Sequence, residues 1–340
     1  MSHLFRLSIL LLLSMHVNAK VLEDLNHQQI TIPDKIEKVF GSSPPMNYLI
    51  YALNPNKMVG VNFNIKNPSN YAGAEFLNKS FLSLPLIGSF HGGGQNINLE
   101  TLLKHQPDLI LVWEDDMLMG KVKEEIQKTK IPMVSLPFRK IEDMPRAIEF
   151  AATLINEEER GHLLSFHAQK IIDEISMSLK NVRPVRYYYA EGIDGLSTEC
   201  ASSFHVEALN FSGGENVHKC QQSGVLGLEK INFEALISYD PDVIVVQNAL
   251  VYNEITENPL WQHLRAIKNK RVHLVPNNPF NWVDRPPSFM RIIGIQWLTK
   301  LFHPKEYSVD LHKRVFEFYK LYLGVTLTEK EITKILGEKE

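Results

Sequence analysis

The segment SFHGGGQN, residues 89–96, places one histidine against three consecutive glycines, and this combination suits three interpretations. An HGGG stretch supplies the oxyanion hole of many esterases. A loop imidazole can instead bind a metal, with Gly92 and its neighbours letting a bulky ligand approach the backbone because they carry no Cβ. The third interpretation is a flexible turn with an incidental histidine. We expect His91 to be the protein donor to a bound metal, and His91 and Gly92 to contact the ligand.

The esterase interpretation requires a G-x-S-x-G nucleophile elbow on a strand-to-helix turn. The two nearest matches, GLSTE and GSSPP, both lack the closing glycine. The sequence also has no H-E-x-x-H, P-loop or G-x-G-x-x-G motif. We therefore expect no enzymatic activity and no intrinsic cofactor, and an esterase that uses the HGGG loop is kept only as an alternative.

Polar and aromatic residues follow the predicted strands in both halves of the chain. In the first half, Ser42 and Ser43 can donate hydrogen bonds to a ligand, and Trp113 can line a cleft. In the second half the candidate ligand contacts are Tyr189, Glu191, Ser197, Thr198, Trp282 and Arg285. Glu191 would meet a cationic group or only cap a turn. Arg285 would bind a ligand carboxylate in bidentate fashion or form a structural ion pair.

The composition limits the kind of partner. Of the 340 residues, 44% are hydrophobic and 22% are charged, which is typical of a globular chain of about two domains. The net charge of -3 gives no electrostatic case for a nucleic-acid partner. The 13 histidines are scattered, whereas bare zinc needs three or four protein ligands. A preformed chelate with one vacant coordination site needs less from the protein. We therefore expect a receptor for such a chelate and keep a receptor for a free divalent metal as the alternative.

The N-terminal segment MSHLFRLSILLLLSMHVNAK has a basic residue before an apolar block and small residues at a cleavage site. This pattern predicts a secretory signal peptide over residues 1–19, cleaved after Ala19. No cysteine lies near the cleavage site, so we expect no lipid anchor. In the oxidising compartment that an exported chain meets, we expect Cys200 and Cys220 to pair; separate burial of the two thiols is the alternative.

Two segments of the chain repeat each other, NLETLLKHQPDLILVW at 98–113 and NFEALISYDPDVIVVQ at 232–247. Each begins with an asparagine suited to cap a helix and continues as a short amphipathic helix that Pro-Asp ends. Each finishes as an apolar run, typical of a strand buried on both faces. The repeat predicts an α/β fold of two lobes, each with a mainly parallel central sheet.

A helical stretch at residues 156–181 separates the two repeats, and its apolar residues recur at helical spacing. Asn156 and Glu159 are placed to form a capping box at its start. A helix of about 24 residues is about 36 Å long. We expect it to join an N-terminal lobe at 20–155 to a C-terminal lobe at 182–340 as a rigid spacer, although an ordinary domain helix would give the same pattern.

Taken together, these features resemble the class III, TroA-like periplasmic binding proteins, which are helical-backbone receptors of ABC importers for ferric siderophores, haem, cobalamin and nickel or cobalt chelates. The resemblance extends over nearly the whole chain after the signal. It includes the NLE-LL---PDLI box, the segment YYYAEGIDGLSTECASSFHVEALNFSGGENV at 187–217 and the segment WVDRPPSFMRIIGIQWL at 282–298. Within the family the chain resembles most the enterochelin-uptake type from epsilon-class bacteria.

The resemblance implies a monomeric periplasmic protein that captures a metal chelate and delivers it to a dimeric ABC permease without covalent chemistry. It implies that Glu100 and Glu234, at equivalent places in the two repeats, pair with permease arginines; the alternative is that each only stabilises a helix N-terminus. Receptors for ferric catecholates gather several arginines, whereas only Arg285 and Arg139 are candidates here. We therefore expect nickel with small amino-acid ligands such as histidine, ahead of a ferric siderophore.

Overall fold

The computed structural model describes residues 19–64, 73–90, 96–113, 120–224 and 227–338. The strands are β1 (Ala19–Glu23), β2 (Gln29–Pro33), β3 (Val39–Gly41), β4 (Leu109–Trp113), β5 (Met133–Leu136), β6 (Val185–Ala190), β7 (Ser197–Thr198), β8 (Gly214–Asn216), β9 (Glu229–Lys230), β10 (Val243–Val246) and β11 (Val272–Leu274). The α-helices are α1 (Pro44–Leu53), α2 (Lys79–Leu82), α3 (Leu99–His105), α4 (Gly120–Lys128), α5 (Met144–Leu154), α6 (Glu158–Ser178), α7 (Glu207–Phe211), α8 (Phe233–Tyr239), α9 (Ala249–Glu257), α10 (Arg265–Lys268), α11 (Arg291–Phe302), α12 (Leu311–Phe318) and α13 (Glu329–Leu336).

Each half of the chain is built on a parallel sheet. The first sheet has the order β3-β4-β5 and the second has the order β11-β10-β6-β8. Every residue of β4 and of β10 is buried, because helices cover both faces of each sheet. Two small antiparallel pairs, β1 with β2 and β7 with β9, lie outside the main sheets. The predicted α/β class with two mainly parallel sheets is confirmed.

The two repeat segments form the same local structure. Asn98 caps α3 by accepting a hydrogen bond from the backbone N–H of Thr101 at 2.9 Å. Asn232 caps α8 by accepting one from Ala235 at 2.8 Å. Each helix leads into the central strand of its sheet, β4 or β10. Because parallel strands end at the same edge of a sheet, these repeats align the carboxyl ends of β4 and β10 with the loops that follow the neighbouring strands.

The long helix α6 has 21 residues, which corresponds to about 32 Å. The predicted capping box at its start is wrong. Its N-cap is Glu157, which makes no side-chain cap bond, while Asn156 has a φ of 59° and lies outside the helix. The side-chain oxygen of Asn156 instead accepts a hydrogen bond from the backbone N–H of Ile36 at 3.1 Å. This residue therefore attaches the start of the helix to the first lobe.

One hydrophobic core runs through both lobes and along α6, and it includes Leu49, Ile171 and Phe289. The end of the chain contributes to this continuity. A π-helical turn, Tyr319–Leu323, follows α12 and returns to the long helix, where the Tyr322 hydroxyl donates to the Leu164 carbonyl at 2.9 Å. Within the described residues, none of the helices combines the length and the apolar character of a membrane span.

Candidate ligand-binding cleft

The two lobes face each other across residues that follow their parallel strands. Trp113 ends β4, and its ring meets the Phe204 ring edge-on with centroids 5.6 Å apart. Arg139, which follows β5, places its guanidinium over the same Phe204 ring at 5.4 Å from the centroid. Phe204 lies in a short 3-10 helix of the second lobe, Phe204–Val206. These contacts define the boundary between the lobes where a cleft for ligand would open.

A cluster of buried charges lies next to this boundary in the second lobe. The guanidinium of Arg285 bonds the Glu191 carboxylate through Nε, and its Nη2 donates to Glu199 at 2.5 Å. The Asp284 carboxylate lies 3.7 Å from the same Nε atom. The three acidic side chains are buried, whereas that of Arg285 is 22% exposed. Arg285 therefore neutralises carboxylates of its own lobe, as in the structural ion-pair interpretation, with part of its guanidinium surface left towards solvent.

His205 joins this charged cluster from the boundary side. Its Nδ1 lies 2.7 Å from Asp284 Oδ2, and its ring centroid is 4.0 Å from that of Phe204. Burial alone would lower the pKa of the imidazole, but the charge of Asp284 and the hydrogen bond to it outweigh burial, so the pKa of His205 is raised. The histidine therefore favours its cationic form beside Asp284.

Each of the three acidic side chains in the cluster also has an oxygen atom without a hydrogen bond in the described part of the chain. Glu191 Oε2, Glu199 Oε2 and Asp284 Oδ1 are buried and accept no hydrogen bond from the described residues. Burial, with a smaller contribution from the neighbouring carboxylates, raises the pKa of Glu191 to about 8 against the opposing effect of Arg285. Glu191 therefore holds a proton at neutral pH, and Arg285 and His205 face the other two carboxyl groups, so the positive charges of the cluster are already engaged by carboxylates.

Three first-lobe candidates lie at the carboxyl ends of β3 and β4, and all three are buried. Ser42 is fully buried, and its hydroxyl accepts a hydrogen bond from the backbone N–H of Trp113 at 3.3 Å, so it joins β3 to β4. Ser43 is the N-cap of α1 but makes no side-chain cap bond. Its buried hydroxyl has no hydrogen-bond partner among the described residues. Trp113 is mostly buried and contacts Phe204.

Several second-lobe candidates occupy different surroundings from those expected. Trp282 is fully buried and packs 6.5 Å from Tyr319, so it belongs to the core and not to an open wall. Ser197 and Thr198 form strand β7, paired with β9, and not a loop. Tyr189 is also fully buried; burial raises the pKa of its phenol well above the usual value, with the charge of Glu191 adding to the effect. Tyr189 thus lies beneath the charged cluster.

His91 and Gly92, expected to contact metal and ligand, lie outside the described residues. The residues that flank them are described. Ser89 and Asn96 form a parallel bridge, and the backbone N–H of Phe90 donates to the Ser42 carbonyl at 2.8 Å. The two ends of the segment that holds His91 therefore lie together beside the carboxyl end of β3, on the edge of the first sheet that faces the second lobe.

The sequence did not single out Glu199, Phe204, His205 or Asp284, which build the second-lobe side of the boundary. No local motif marks them, because Arg285 reaches Glu199 across 86 residues and His205 reaches Asp284 across 79. The adjacency of Asp284 to Arg285 was the one local signal.

The two predicted permease contacts are exposed and equivalent. Glu100 lies in the first turn of α3, and Glu234 lies in the first turn of α8. Three residues further along each helix an aliphatic side chain is also exposed, Leu103 by 42% and Ile237 by 49%. Residues spaced by three lie on one helix face. Each lobe therefore presents an acidic and an aliphatic side chain together at the same position of its repeat.

The two cysteines form a disulfide, and Cys200 lies next to the charged cluster in sequence. Cys200 directly follows Glu199, and in the structure its sulfur is bonded to that of Cys220, with Cα atoms 5.1 Å apart. Cys200 is fully buried.

Comparisons with known proteins agree with this architecture. A family model described as periplasmic binding protein matches residues 55–279. The solved structure of an ABC transporter solute binding protein from Sulfurospirillum deleyianum is 36% identical, with a TM-score of 0.88 over 93% of this chain and 99% of that one. The molybdate-binding protein MolA of Haemophilus influenzae is 23% identical over 89% of this chain and 90% of its own length.

A more distant structure shares only the fold. CeuE of Helicobacter pylori, solved with Ni(II) bound, is 18% identical, with a TM-score of 0.70 over 93% of this chain and 99% of its own. The relatives bind different ligands, so they fix the class of protein and leave the ligand undefined. The family is one of substrate-binding transport proteins and not of enzymes. The chain belongs to the periplasmic binding protein family, in its class III, TroA-like group, and its relatives are solute-binding components of ABC transporters.

Proposed function

We propose that this protein works in the periplasm, where it captures a metal chelate of low negative charge between its two lobes and delivers it to an ABC permease. Nickel held by small amino-acid ligands such as histidine is the first choice, and a ferric siderophore is the second. The observation that supports this choice is that Arg285, the cation expected on the second-lobe side of the cleft, is already paired with Glu191 and Glu199 and lies beside Asp284.

This pairing discriminates between ligand classes by charge. Buried charges interact strongly, because the surroundings screen them less than water does. An oxyanion such as molybdate, or a triply charged ferric catecholate, would find the positive charges of Arg285 and His205 already engaged by carboxylates. A neutral or cationic chelate needs no unpaired cation from this side of the cleft.

A preformed chelate suits the cleft better than a bare ion. A bare ion needs three or four protein ligands close together. The described part of the cleft holds no group of three histidine, cysteine or carboxylate donor atoms within 4.8 Å of one another. A chelate that leaves one coordination position vacant needs a single donor, and neutral imidazole suits nickel. The same fold accommodates such a ligand in CeuE of Helicobacter pylori, which has been crystallised as a nickel–histidine complex.

The proposal is tested first by identifying the natural ligand. Protein purified from its own periplasm without chelators is analysed by native mass spectrometry and elemental analysis. We expect nickel in near-stoichiometric amount, with added mass that matches small amino-acid ligands. Iron with the mass of a siderophore would support the second choice. Molybdenum, or a mass with no metal, would reject the proposed ligand class while leaving the transport family intact.

A second experiment tests His91 as the metal donor. Titration of His91→Ala with nickel plus free histidine should give an affinity at least about tenfold below wild type, equivalent to about 1.4 kcal/mol. Wild-type affinity should fall as the pH is lowered, because protonation of the imidazole removes the lone pair that binds the metal. His263→Ala, which removes an exposed histidine of the second lobe, is the control and should bind as wild type does. Equal affinities in both variants would exclude His91 as the donor.

We assign docking on the permease to two exposed pairs of side chains, Glu100 with Leu103 on α3 and Glu234 with Ile237 on α8. Two equivalent surfaces, one on each lobe, match the two halves of a dimeric permease, and Glu100 and Glu234 complement basic groups there. The exposed Leu103 and Ile237 would add apolar contact at the same two points.

A further inference from the structure

Cys200, Cys220 and His218 form a group of side chains that the ligand cleft does not explain. One donor atom from each residue lies within 4.8 Å of the other two. Cys200 is buried and the other two are half-buried. Cysteine sulfur and histidine nitrogen are the donors that zinc and related thiophilic ions prefer.

A metal ion would require the two sulfurs to lie farther apart than they do in the disulfide. A tetrahedral zinc ion with bonds of about 2.3 Å to sulfur holds its donor atoms roughly 3.8 Å apart. In the disulfide the two sulfurs are bonded to each other and have no capacity for a metal. Opening that bond requires the sulfurs to separate by only about 2 Å to reach the tetrahedral spacing.

Hydrogen bonds hold the two cysteine-bearing segments together independently of the disulfide. The backbone N–H of Ala201 donates to the His218 carbonyl at 3.1 Å. The side-chain amide of Asn216 donates to the Glu199 carbonyl at 2.9 Å. These bonds lie directly beside Cys200 and His218 and hold those two residues together without the disulfide, and Cys220 follows His218 by only two residues.

The imidazole of His218 is half-buried and is oriented by one neighbouring side chain. Its Nδ1 lies 3.0 Å from the Tyr239 hydroxyl, a contact that orients the ring. Burial lowers the pKa of His218 below its usual value, and Glu229 opposes this only in part. Burial therefore favours the neutral ring, which has one nitrogen with a free lone pair.

We infer that reduction of the Cys200–Cys220 disulfide opens a metal site in which two thiolates and the His218 imidazole bind one thiophilic divalent ion, such as zinc. A dithiol reductant supplies two electrons and two protons, and is itself oxidised to a disulfide. The ion then displaces the two thiol protons to solvent. Three protein donors leave a fourth position for water. The site is closed in the oxidised protein and open in chains that have not formed the disulfide.

The test uses the full mature chain without a polyhistidine tag, reduced with a dithiol, desalted anaerobically and titrated with Co(II) as the probe. We expect a thiolate-to-cobalt charge-transfer band that saturates at one ion per chain and disappears when zinc is added. The oxidised protein should show no such band, and its denatured form should show no free thiol. A cobalt ion in the cleft has no thiolate ligand and so produces no such band.

Variants identify the third ligand. His218→Ala should lower the cobalt affinity of the reduced protein at least tenfold, and His263→Ala should leave it unchanged. Because reduction alone can unfold the chain, thermal unfolding is followed as well. Zinc should raise the unfolding temperature of the reduced wild type, and should not raise that of the Cys200→Ser, Cys220→Ser double variant. Absence of the thiolate band, or an affinity that His218→Ala does not change, would overturn the inference.

Discussion

At the residue scale, Arg285 holds together the charges on the second-lobe side of the cleft. It pairs with Glu191 and Glu199 and lies beside Asp284, and its φ of 56° is in the left-handed region, which is unfavourable for residues with a Cβ. Arg285→Met should lower the free energy of unfolding by about 3–5 kcal/mol, because it leaves buried carboxylates without their cation. Chemical denaturation measures this loss.

A surface arginine provides the comparison for Arg285. Arg265 pairs with Asp240 and Asp242, but its side chain is 47% exposed, so water screens both ion pairs. Arg265→Met should therefore cost less than about 1 kcal/mol. Equal losses for the two variants would mean that the Arg285 pairs are as weak as surface pairs, and the electrostatic argument for the cleft would fail.

Glu191 should make stability depend on pH. Burial raises the pKa of Glu191 to about 8, so between its unfolded value near 4.5 and pH 8 the folded chain holds a proton that the unfolded chain releases. This proton alone makes the free energy of unfolding fall as the pH rises through the window, whereas His167 and His273, whose pKa burial lowers to about 4, make it rise up to pH 6.5. Glu191→Gln should therefore make the slope of stability against pH more positive, most clearly between pH 5 and 6.5, below the range in which the raised pKa of His205 acts in the same direction as that of Glu191. Thermal unfolding at several pH values measures the slope.

Glu229 is the control for this pH dependence. Hydrogen bonds from Ser223 lower its pKa, so its contribution to stability is present above its unfolded pKa and is lost only as the pH falls below that value. Glu229→Gln should keep the wild-type slope between pH 5 and 8. If Glu191→Gln also keeps that slope, Glu191 is ionised throughout the range and Arg285 outweighs burial.

Individual charges were visible in the sequence, but their partners were not. Arg285 and Glu191 were both identified as candidate ligand contacts, and the structure joins them to each other across 94 residues. Which charges meet is decided by how β6 and the loop before α11 pack, and a single sequence contains no signal for that packing. The same reason explains why His205 was missed and why Trp282, identified as a wall of the cleft, is a core residue.

At the element scale, prediction succeeded wherever the signal was local. The caps at Asn98 and Asn232, the short amphipathic helices and the apolar strands all follow from patterns within about sixteen residues, and the structure has them in place. The prediction of a cap at the start of α6 was wrong, because the Asn156 side chain bonds the backbone N–H of Ile36 and does not cap the helix. Local rules hold until a tertiary partner competes for the same atoms.

The equivalent surfaces on α3 and α8 should be required for uptake and not for ligand binding. Reversing both charges, Glu100→Lys with Glu234→Lys, should abolish transport of the ligand into cells while its affinity for the purified protein stays at the wild-type value. Leu103→Ser with Ile237→Ser should reduce uptake in the same way, because it removes the exposed aliphatic contacts. Cellular metal accumulation and titration of the purified variants separate the two effects.

The control for docking is a pair of glutamates with the same local role elsewhere. Glu158 and Glu159 are exposed in the first turn of α6, where they stabilise the helix N-terminus just as Glu100 and Glu234 do. Changing both to lysine should leave uptake unchanged. If this control loses uptake as well, the loss reflects helix destabilisation, and the docking assignment is withdrawn.

At the scale of the whole molecule, the lobes are less separate than the sequence indicates. The repeats predict two similar units and a spacer, but the Tyr48 ring of the first lobe stacks on Phe280 of the second with centroids 3.7 Å apart. Arg291, fully buried at the start of α11, donates to the backbone carbonyls of Phe138 and Arg139 in the other lobe, at 2.7 Å for Arg139. The repeats contain no signal for these contacts. Each contact joins residues more than 150 positions apart in the sequence, and all of these residues lie outside the two repeat segments.

This continuity predicts that ligand binding moves the lobes little. Spin labels at Lys104→Cys and Ser238→Cys, exposed positions on α3 and α8, report the distance between the lobes, and the disulfide keeps the native cysteines unlabelled. We expect ligand to change the mean distance by less than about 5 Å, the length of one helical turn. Arg291→Leu should broaden the distance distribution without ligand, because it removes the hydrogen bonds to Phe138 and Arg139. Arg265→Leu, which touches only its own lobe, should not broaden it. A ligand-induced change well above one helical turn would show that α6 and the shared core act as a hinge.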